Sequence, residues 1–116
     1  MISLAAQDIK DLFDDVTIID LDVGKEINRH GNYLVFDGFK PDGLLCSGVF
    51  RFTLYMALKS LRRGNGSAYS ELDEIIIKLA EAGDRGIVCE CKDVKLTGFA
   101  ERLFIYALQL EVARSW

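Results

Sequence analysis

The stretch that decides the fold is Val49-Phe50-Arg51-Phe52-Thr53-Leu54-Tyr55-Met56-Ala57-Leu58. Alternate positions hold its large apolar side chains, which are Phe50, Phe52, Leu54, Met56 and Leu58. Successive side chains of a β-strand point to opposite faces, so this alternation predicts a strand with one face in the core. The other face is not wholly polar, because the intervening positions are Val49, Arg51, Thr53, Tyr55 and Ala57.

Before this strand, the sequence predicts one helix and two shorter strands. A helix is predicted over Leu4 to Asp15 by apolar residues spaced three and four apart, which are Ile9, Leu12, Phe13 and Val16. A run rich in β-branched residues predicts a strand over Val16 to Val23. A second strand is predicted over Tyr33 to Phe36, after a polar loop at Glu26 to Asn32 and before a turn that begins at Asp37.

After the long strand, the sequence predicts a turn and a second helix. The segment Arg62-Arg63-Gly64-Asn65-Gly66 breaks the alternation, and either Ser67 or Ser70 is suited to cap the helix that follows. We expect this helix to end at Gly83. Its predicted core-facing residues are Tyr69, Leu72, Ile76 and Leu79.

Two further strands are predicted over Ile87 to Val94 and Ala100 to Val112. The order helix, strands, helix, strands predicts an α+β fold, in which a mostly antiparallel sheet carries two helices packed on one face. The chain has 116 residues, of which 50% are hydrophobic, so we expect a single domain over residues 1–116.

Composition disfavours several classes of protein. The formal net charge is -4, whereas nucleic-acid binding relies on many Lys and Arg side chains, so no nucleic-acid partner is expected. Apolar runs such as Ile75 to Ile77 are too short to cross a membrane. Asp8 and Asp11 interrupt the region where a signal peptide would be apolar. The cysteine count is three, and Cys89 and Cys91 are two residues apart, which favours reduced thiols in a cytoplasm.

The strand ending in Asp20 and Asp22 raises the question of catalysis. It resembles the opening of haloacid-dehalogenase phosphatases, in which the first acid attacks phosphorus and both bind magnesium. That family has a longer α/β chain with a lysine and further acids after later strands, which this sequence lacks. A calcium loop at Asp20, Asp22 and Gly24 would lack its later bidentate glutamate. We therefore expect no enzyme, and interpret both acids as solvent-facing.

Other candidate sites have simpler interpretations. Arg62 to Ser67 combines two arginines, two glycines and a helix start, which suits an anion, but we favour the simpler interpretation of a flexible strand-to-helix connection. His30 has no partner motif for a triad or a metal cluster and is expected to be exposed. Only one residue separates Cys89 from Cys91, whereas zinc and redox motifs have two residues between their cysteines. Cys46 lies far upstream and completes no such motif. We expect no metal and no cofactor.

The run from Phe50 to Arg62 continues into Gly66-Ser67-Ala68-Tyr69, then into the helix with Leu72 and Leu79, and a closing strand follows through Tyr106 and Leu108. This order resembles the small tail-terminator and tail-completion proteins of long-tailed phages, including a Mu-like family of prophage proteins. The resemblance covers most of the chain in outline. It implies a structural subunit in the host cytoplasm or the virion tail that forms a ring, often hexameric, and contacts the tail tube and the head connector.

The interface of such an assembly is expected on the long strand, the final strand and loops such as Gly38 to Gly48. Its candidate residues are Val49, Arg51, Tyr55, Arg62, Arg63 and Tyr106. An alternative function is a small-ligand or regulatory-partner binding module with its pocket between the second helix and the sheet. An assembly subunit predicts an oligomer, whereas the binding module predicts a monomer or dimer that a ligand stabilises.

Overall fold

Two α-helices and five strands make up the part of the chain that the computed structural model describes, which is residues 2–13, 15–19, 27, 29–43, 46–59, 68–100 and 103–116. In chain order they are α1 (Ile2–Leu12), β1 (Thr17–Ile18), β2 (Gly31–Pro41), β3 (Ser47–Lys59), α2 (Ala68–Ala80), a 3-10 helix (Ala82–Arg85), β4 (Val88–Ala100) and β5 (Leu103–Ser115). Neither α1 nor α2 is long and apolar enough to span a membrane.

All five strands belong to one sheet in the order β1-β2-β3-β5-β4. The two-residue strand β1 runs parallel to β2, and every other neighbouring pair is antiparallel. The predicted α+β fold with a mostly antiparallel sheet is confirmed. The long strand predicted over residues 49–58 is confirmed as β3, which lies between β2 and β5.

The main core lies between one face of the sheet and both helices. The alternating apolar residues of β3 are at most 2% exposed and pack with Leu108, Leu110 and Val112 of β5. Both helices contribute to this same cluster, α1 through residues such as Ile9 and α2 through residues such as Leu72. The helices therefore cover one face of the sheet, as predicted.

The opposite side of the sheet is the helix-free face. A smaller apolar cluster occupies one end of it, formed by Ile19, Ile27, Val35, Ala57 and Leu103. The other end is polar, because Arg51 lies opposite Glu111, and Glu111 lies opposite Glu90. Thr53 is buried on this face and its hydroxyl donates to the Asp37 carboxylate.

The first predicted helix and strand are longer than the observed ones. Helix α1 ends at Leu12 rather than at residue 15, and Phe13 and Val16 pack on the core from outside it. The strand predicted over residues 16–23 is observed only at Thr17 and Ile18. Ile19 follows β1, and residues 20–23 lie outside the described residues.

The prediction that β2 ends before Asp37 is wrong. A β-bulge between Phe36 and Gly38 accommodates Asp37, and the strand then continues to Pro41. A bulge inserts one extra residue without ending the pairing, so a polar residue followed by glycine is here an irregularity within a strand. Proline is tolerated at Pro41 because it lies at the end of β2.

The predicted core-facing side of the second helix is also wrong in part. Leu72, Ile75 and Leu79 are buried, whereas Tyr69 and Ile76 are exposed. Ile75, Ile76 and Ile77 are consecutive, and successive residues of a helix point about 100° apart, so one turn cannot bury all three. The helix ends at Ala80, and the expected stop at Gly83 falls within the 3-10 helix.

The last two strands form a long hairpin whose strand bounds differ from the predicted ones. Strand β4 continues through Ala100, six residues beyond the predicted end at Val94. Its last residue pairs with Leu103, the first residue of β5. Two bulges shift the register of β4, one between Cys91 and Asp93 and one between Leu96 and Gly98, and they conceal its alternation in the sequence.

We predict that Gly48→Ala destabilises the fold. A Cβ atom there would lie 2.5 Å from the Phe39 ring and 2.7 Å from the Lys40 carbonyl oxygen, so the backbone would have to shift. Overpacking of this kind costs about 1–3 kcal/mol. Urea unfolding of the variant measures that change in the free energy of unfolding.

The matched control is Gly98→Ala, because no atom lies within 4 Å of a Cβ built at Gly98. Its free energy of unfolding should stay within about 0.5 kcal/mol of the wild-type value. Equal effects of the two substitutions would contradict the packing described for Gly48.

Candidate assembly surface

Among the strands that the structure describes, β4 lies at one edge of the sheet with β5 as its only neighbour. Helix α2 lies beside it, and the chain passes from α2 to β4 through the 3-10 helix alone. An open groove of about 590 Å³ separates them. Its apolar wall consists of Ile76, Leu79, Ala80, Cys89, Cys91 and Val94, and Glu90, Lys92 and Asp93 complete the lining.

Large apolar side chains remain exposed on α2 and β4, the two elements that form this groove, and one of them, Ile76, lines the groove itself. Tyr69 is 61%, Ile76 46% and Ile77 55% exposed on α2, and Leu96 is 53% exposed on β4. Leu96 shares the helix-covered face with Val94, because the two pair with Tyr106 and Leu108 of the main core. We call these four residues and the groove the α2–β4 surface. A grouped set of exposed apolar side chains is typical of a contact site, whereas scattered single ones are ordinary.

Charged groups border the α2–β4 surface. Lys92 Nζ lies 3.1 Å from Glu90 Oε2, and this hydrogen bond raises the pKa of Lys92. On α2, Asp73 is exposed and lies between Tyr69 and Ile76 along the same side of the helix. Glu74 is also exposed but lies on the other flank of α2, where it lines a cavity with His30 and Lys78. Asp73 therefore places a negative charge among the exposed apolar residues of α2.

His30 is exposed, as predicted, and its Nε2 lies 2.7 Å from Glu71 Oε1. This contact joins the residue before β2 to the first turn of α2. Its two members are both partly open to solvent, so its contribution to stability is small. The contact therefore links the start of β2 to α2 at the solvent-exposed surface.

All three cysteines are free thiols. Burial raises the pKa of Cys89 to about 12, with smaller contributions from Cys91 and Asp8, and burial also raises the pKa of Cys91. Both side chains point into the groove from one face of β4, as the spacing predicted. Metals and alkylating reagents react with thiolates, so these protonated thiols are poor ligands and nucleophiles. The residues in the described ranges form no group of three or more metal-ligating side chains.

We predict selective labelling of the thiols by iodoacetamide at pH 8. Cys46 is exposed and should be alkylated first, whereas Cys89 should react at least tenfold more slowly because its pKa of about 12 leaves almost no thiolate. Peptide mass spectrometry over a time course measures each rate. Labelling after urea unfolding is the control, and all three rates should then converge. Equal rates in the folded protein would contradict the burial of Cys89.

The structure does not bring the predicted interface residues together. Val49, Arg51 and Tyr55 lie on the helix-free face, where Val49 and Tyr55 are half-buried and Arg51 is exposed. Tyr106 lies on the opposite, helix-covered face and packs against the main core. Arg62 and Arg63 lie outside the described residues, as do the acids at 20 and 22, Gly24 and the rest of the Arg62 to Ser67 segment.

The helix-free face near Arg51 has its own shallow cavity of about 360 Å³. It is lined by Lys40, Pro41, Asp42, Val49, Arg51 and Glu111, so its walls carry both signs of charge. Farther along this face, burial raises the pKa of Tyr55, and the negative charge of Asp37 adds to the effect. Both ends of the segment expected as a loop between Gly38 and Gly48 lie in strands, because β2 continues to Pro41 and β3 begins at Ser47.

No protein-family model matches the chain, and no curated protein matches it. The geometry itself therefore has to indicate the function. Its most distinctive feature is the α2–β4 surface, of which the sequence predicted a pocket between the second helix and the sheet but not the exposed apolar residues. The available signal was the run Ile75-Ile76-Ile77, because a helix that packs one side on a sheet leaves part of such a run outside.

Proposed function

We propose that this protein is a self-associating structural subunit, of the kind that completes a phage tail, and that it contacts further copies of itself through the α2–β4 surface. The observation that carries the proposal is the exposure of Tyr69, Ile76, Ile77 and Leu96 on α2 and β4, the two elements that form the groove. Fully burying an aliphatic or aromatic side chain contributes about 1.5–3 kcal/mol. Covering four side chains that are already half-buried would contribute about half of that for each.

The contact is made by side chains rather than by extending the sheet. No described strand pairs with the outer edge of β4, but two bulges interrupt that edge and Lys92 and Lys95 lie along it. Bulges and edge lysines are the devices by which proteins prevent edge-to-edge strand pairing. The apolar groups of α2 and the groove lie beside this protected edge, so they can be buried without strand addition.

The resemblance to tail-terminator and tail-completion proteins implies the biological assembly to which this self-association belongs. Such a subunit forms a ring, often hexameric, on the tail tube and offers a surface to the head connector. It functions in the host cytoplasm and in the virion tail and requires neither catalysis nor a cofactor. The mixed-charge area around Val49 and Arg51 on the helix-free face is then available for the tail or connector proteins.

A small-ligand or regulatory-partner module is the second candidate. One observation favours it, because the groove of about 590 Å³ lies between the second helix and the sheet, where that function requires a pocket. Such a module would be a monomer or dimer, and its melting temperature would rise with ligand concentration.

We predict that the wild-type chain forms a discrete oligomer larger than a dimer, and that Ile76→Lys reduces it to the monomer. A lysine at this exposed position leaves the core unchanged but places a charge in an apolar contact, which is costly to bury. Light scattering coupled to gel filtration, over a range of protein concentrations, measures the mass.

The matched control is Ile18→Lys, because Ile18 is 56% exposed, close to the 46% of Ile76, but lies on β1. It should keep the wild-type mass, and circular dichroism should show both variants folded. A wild-type protein that stays monomeric at every concentration would refute the assembly function and favour the ligand-binding module.

A further inference from the structure

The cavity near Arg51 on the helix-free face has room for one small molecule. Its volume of about 360 Å³ is at the lower end of the range of small-molecule sites, which is about 300–1,000 Å³. Pro41 and Val49 are its apolar lining residues. Its charged lining residues are two cations and two carboxylates, Lys40, Arg51, Asp42 and Glu111. The charges of the lining residues therefore cancel.

The Arg51 guanidinium lies toward β2 rather than toward Glu111. Arg51 is placed on β3 between Gly38 of β2 and Glu111 of β5. A Cβ atom built at Gly38 would lie 3.6 Å from Arg51 Nη2 and 4.0 Å from Arg51 Nε, so the guanidinium lies beside Gly38. Directly opposed residues of neighbouring strands have Cβ atoms only about 4.5–5.5 Å apart, so an ion pair with Glu111 is within reach of Arg51. The orientation of the guanidinium toward β2 instead separates the two charges.

Three of the charges around the cavity form no ion pair within the part of the chain that the structure describes. The Arg51 guanidinium and the Lys40 ammonium group make neither an ion pair nor a hydrogen bond there. Glu111 forms no ion pair there either, and Lys92 of the neighbouring strand β4 pairs with Glu90 instead. Opposite charges that are held apart beside one cavity attract a molecule that carries both signs of charge.

The charges of the cavity favour a zwitterion over a simple ion. A simple anion would be attracted by Arg51 and repelled by Glu111, and a simple cation would meet the reverse. A molecule with a carboxylate and an ammonium group satisfies both residues. Arginine binds a carboxylate through two parallel N–H donors, and a carboxylate such as that of Glu111 accepts hydrogen bonds from an ammonium group. Asp42 already accepts from the Ser47 hydroxyl, which leaves Glu111 as the acceptor.

We propose that this cavity binds a free α-amino acid with a short aliphatic side chain. Arg51 holds its carboxylate, Glu111 holds its ammonium group, and its side chain packs on Val49. An α-amino acid carries both charges on one carbon, so one small molecule bridges the gap between Arg51 and Glu111. These two residues lie on β3 and β5, which are paired on both sides, so the sheet sets their spacing before the ligand arrives. The site goes beyond the proposed self-association and does not depend on it.

Isothermal titration calorimetry of the full chain with L-valine as the probe tests this site. The titration is made at about pH 6.5, where α-amino groups carry their proton. N-acetyl-L-valine lacks the ammonium group, and L-valinamide lacks the carboxylate. The wild-type chain should bind L-valine about tenfold more tightly than either analogue, because each analogue loses one charged hydrogen-bonding group.

Two variants assign the charged groups of the ligand to their partners. Arg51→Gln should bind L-valine about tenfold more weakly and should no longer prefer it to L-valinamide. Glu111→Gln should weaken binding as much and should no longer prefer L-valine to N-acetyl-L-valine. The matched control is Lys95→Gln, because Lys95 is an exposed charge on the same face, opposite Ala107, and lies outside the cavity. This control should keep the wild-type affinity, and circular dichroism should show all three variants folded.

The amino-acid site is overturned if the wild-type chain does not bind L-valine at millimolar concentrations. It is also overturned if either analogue binds as tightly as L-valine, which would show a site for simple anions or simple cations, or if both cavity variants keep the wild-type affinity. The comparison of analogues uses the wild-type chain, so it holds even if a variant does not fold. Ile76→Lys should bind L-valine as the wild type does, which separates this result from the outcome for self-association.

Discussion

The structure depends on the pairing of β3 with strands on both of its sides. Strand β3 pairs with β5 along all 13 of its residues and with β2 along most of them. This places Phe52 and Leu54 at the centre of the sheet, where side chains of both neighbouring strands pack beside them. A sheet with one continuous apolar face must cover that face, and α1 and α2 do so.

Covering one face of the sheet with two helices buries one side of α2 and leaves apolar residues exposed on the rest of that helix. Leu72, Ile75 and Leu79 pack in the main core and so determine which side of α2 is buried. Ile76 and Ile77 then remain exposed to solvent. The exposed apolar groups of α2 follow from the same packing that stabilises the fold. Sequence changes that made them polar would leave the core intact, so the fold does not require their apolar character.

Much of the fold could be predicted from local patterns, because β3 alternates without interruption and both helices have an apolar stripe. The predicted strand bounds and helix faces that proved wrong are those for which the local sequence allows more than one arrangement and tertiary packing selects one. Tyr69 and Ile76 form as good a stripe as Leu72 and Ile75, and only contact with the sheet decides between them. The bulge at Asp37 and the two bulges of β4 shift the side-chain alternation by one residue, so a period of two fails across them.

The candidate site was harder to predict than the fold, because an interface depends on which exposed residues become neighbours. Val49 and Tyr106 both lie on long amphipathic strands, but the register places them on opposite faces of the sheet. Ile2, Phe39 and Trp116 are far apart in the sequence and meet because β2 and β5 end, and β3 begins, near the start of α1. Open strand edges would favour indefinite aggregation, and the bulged, lysine-bearing edge of β4 opposes it.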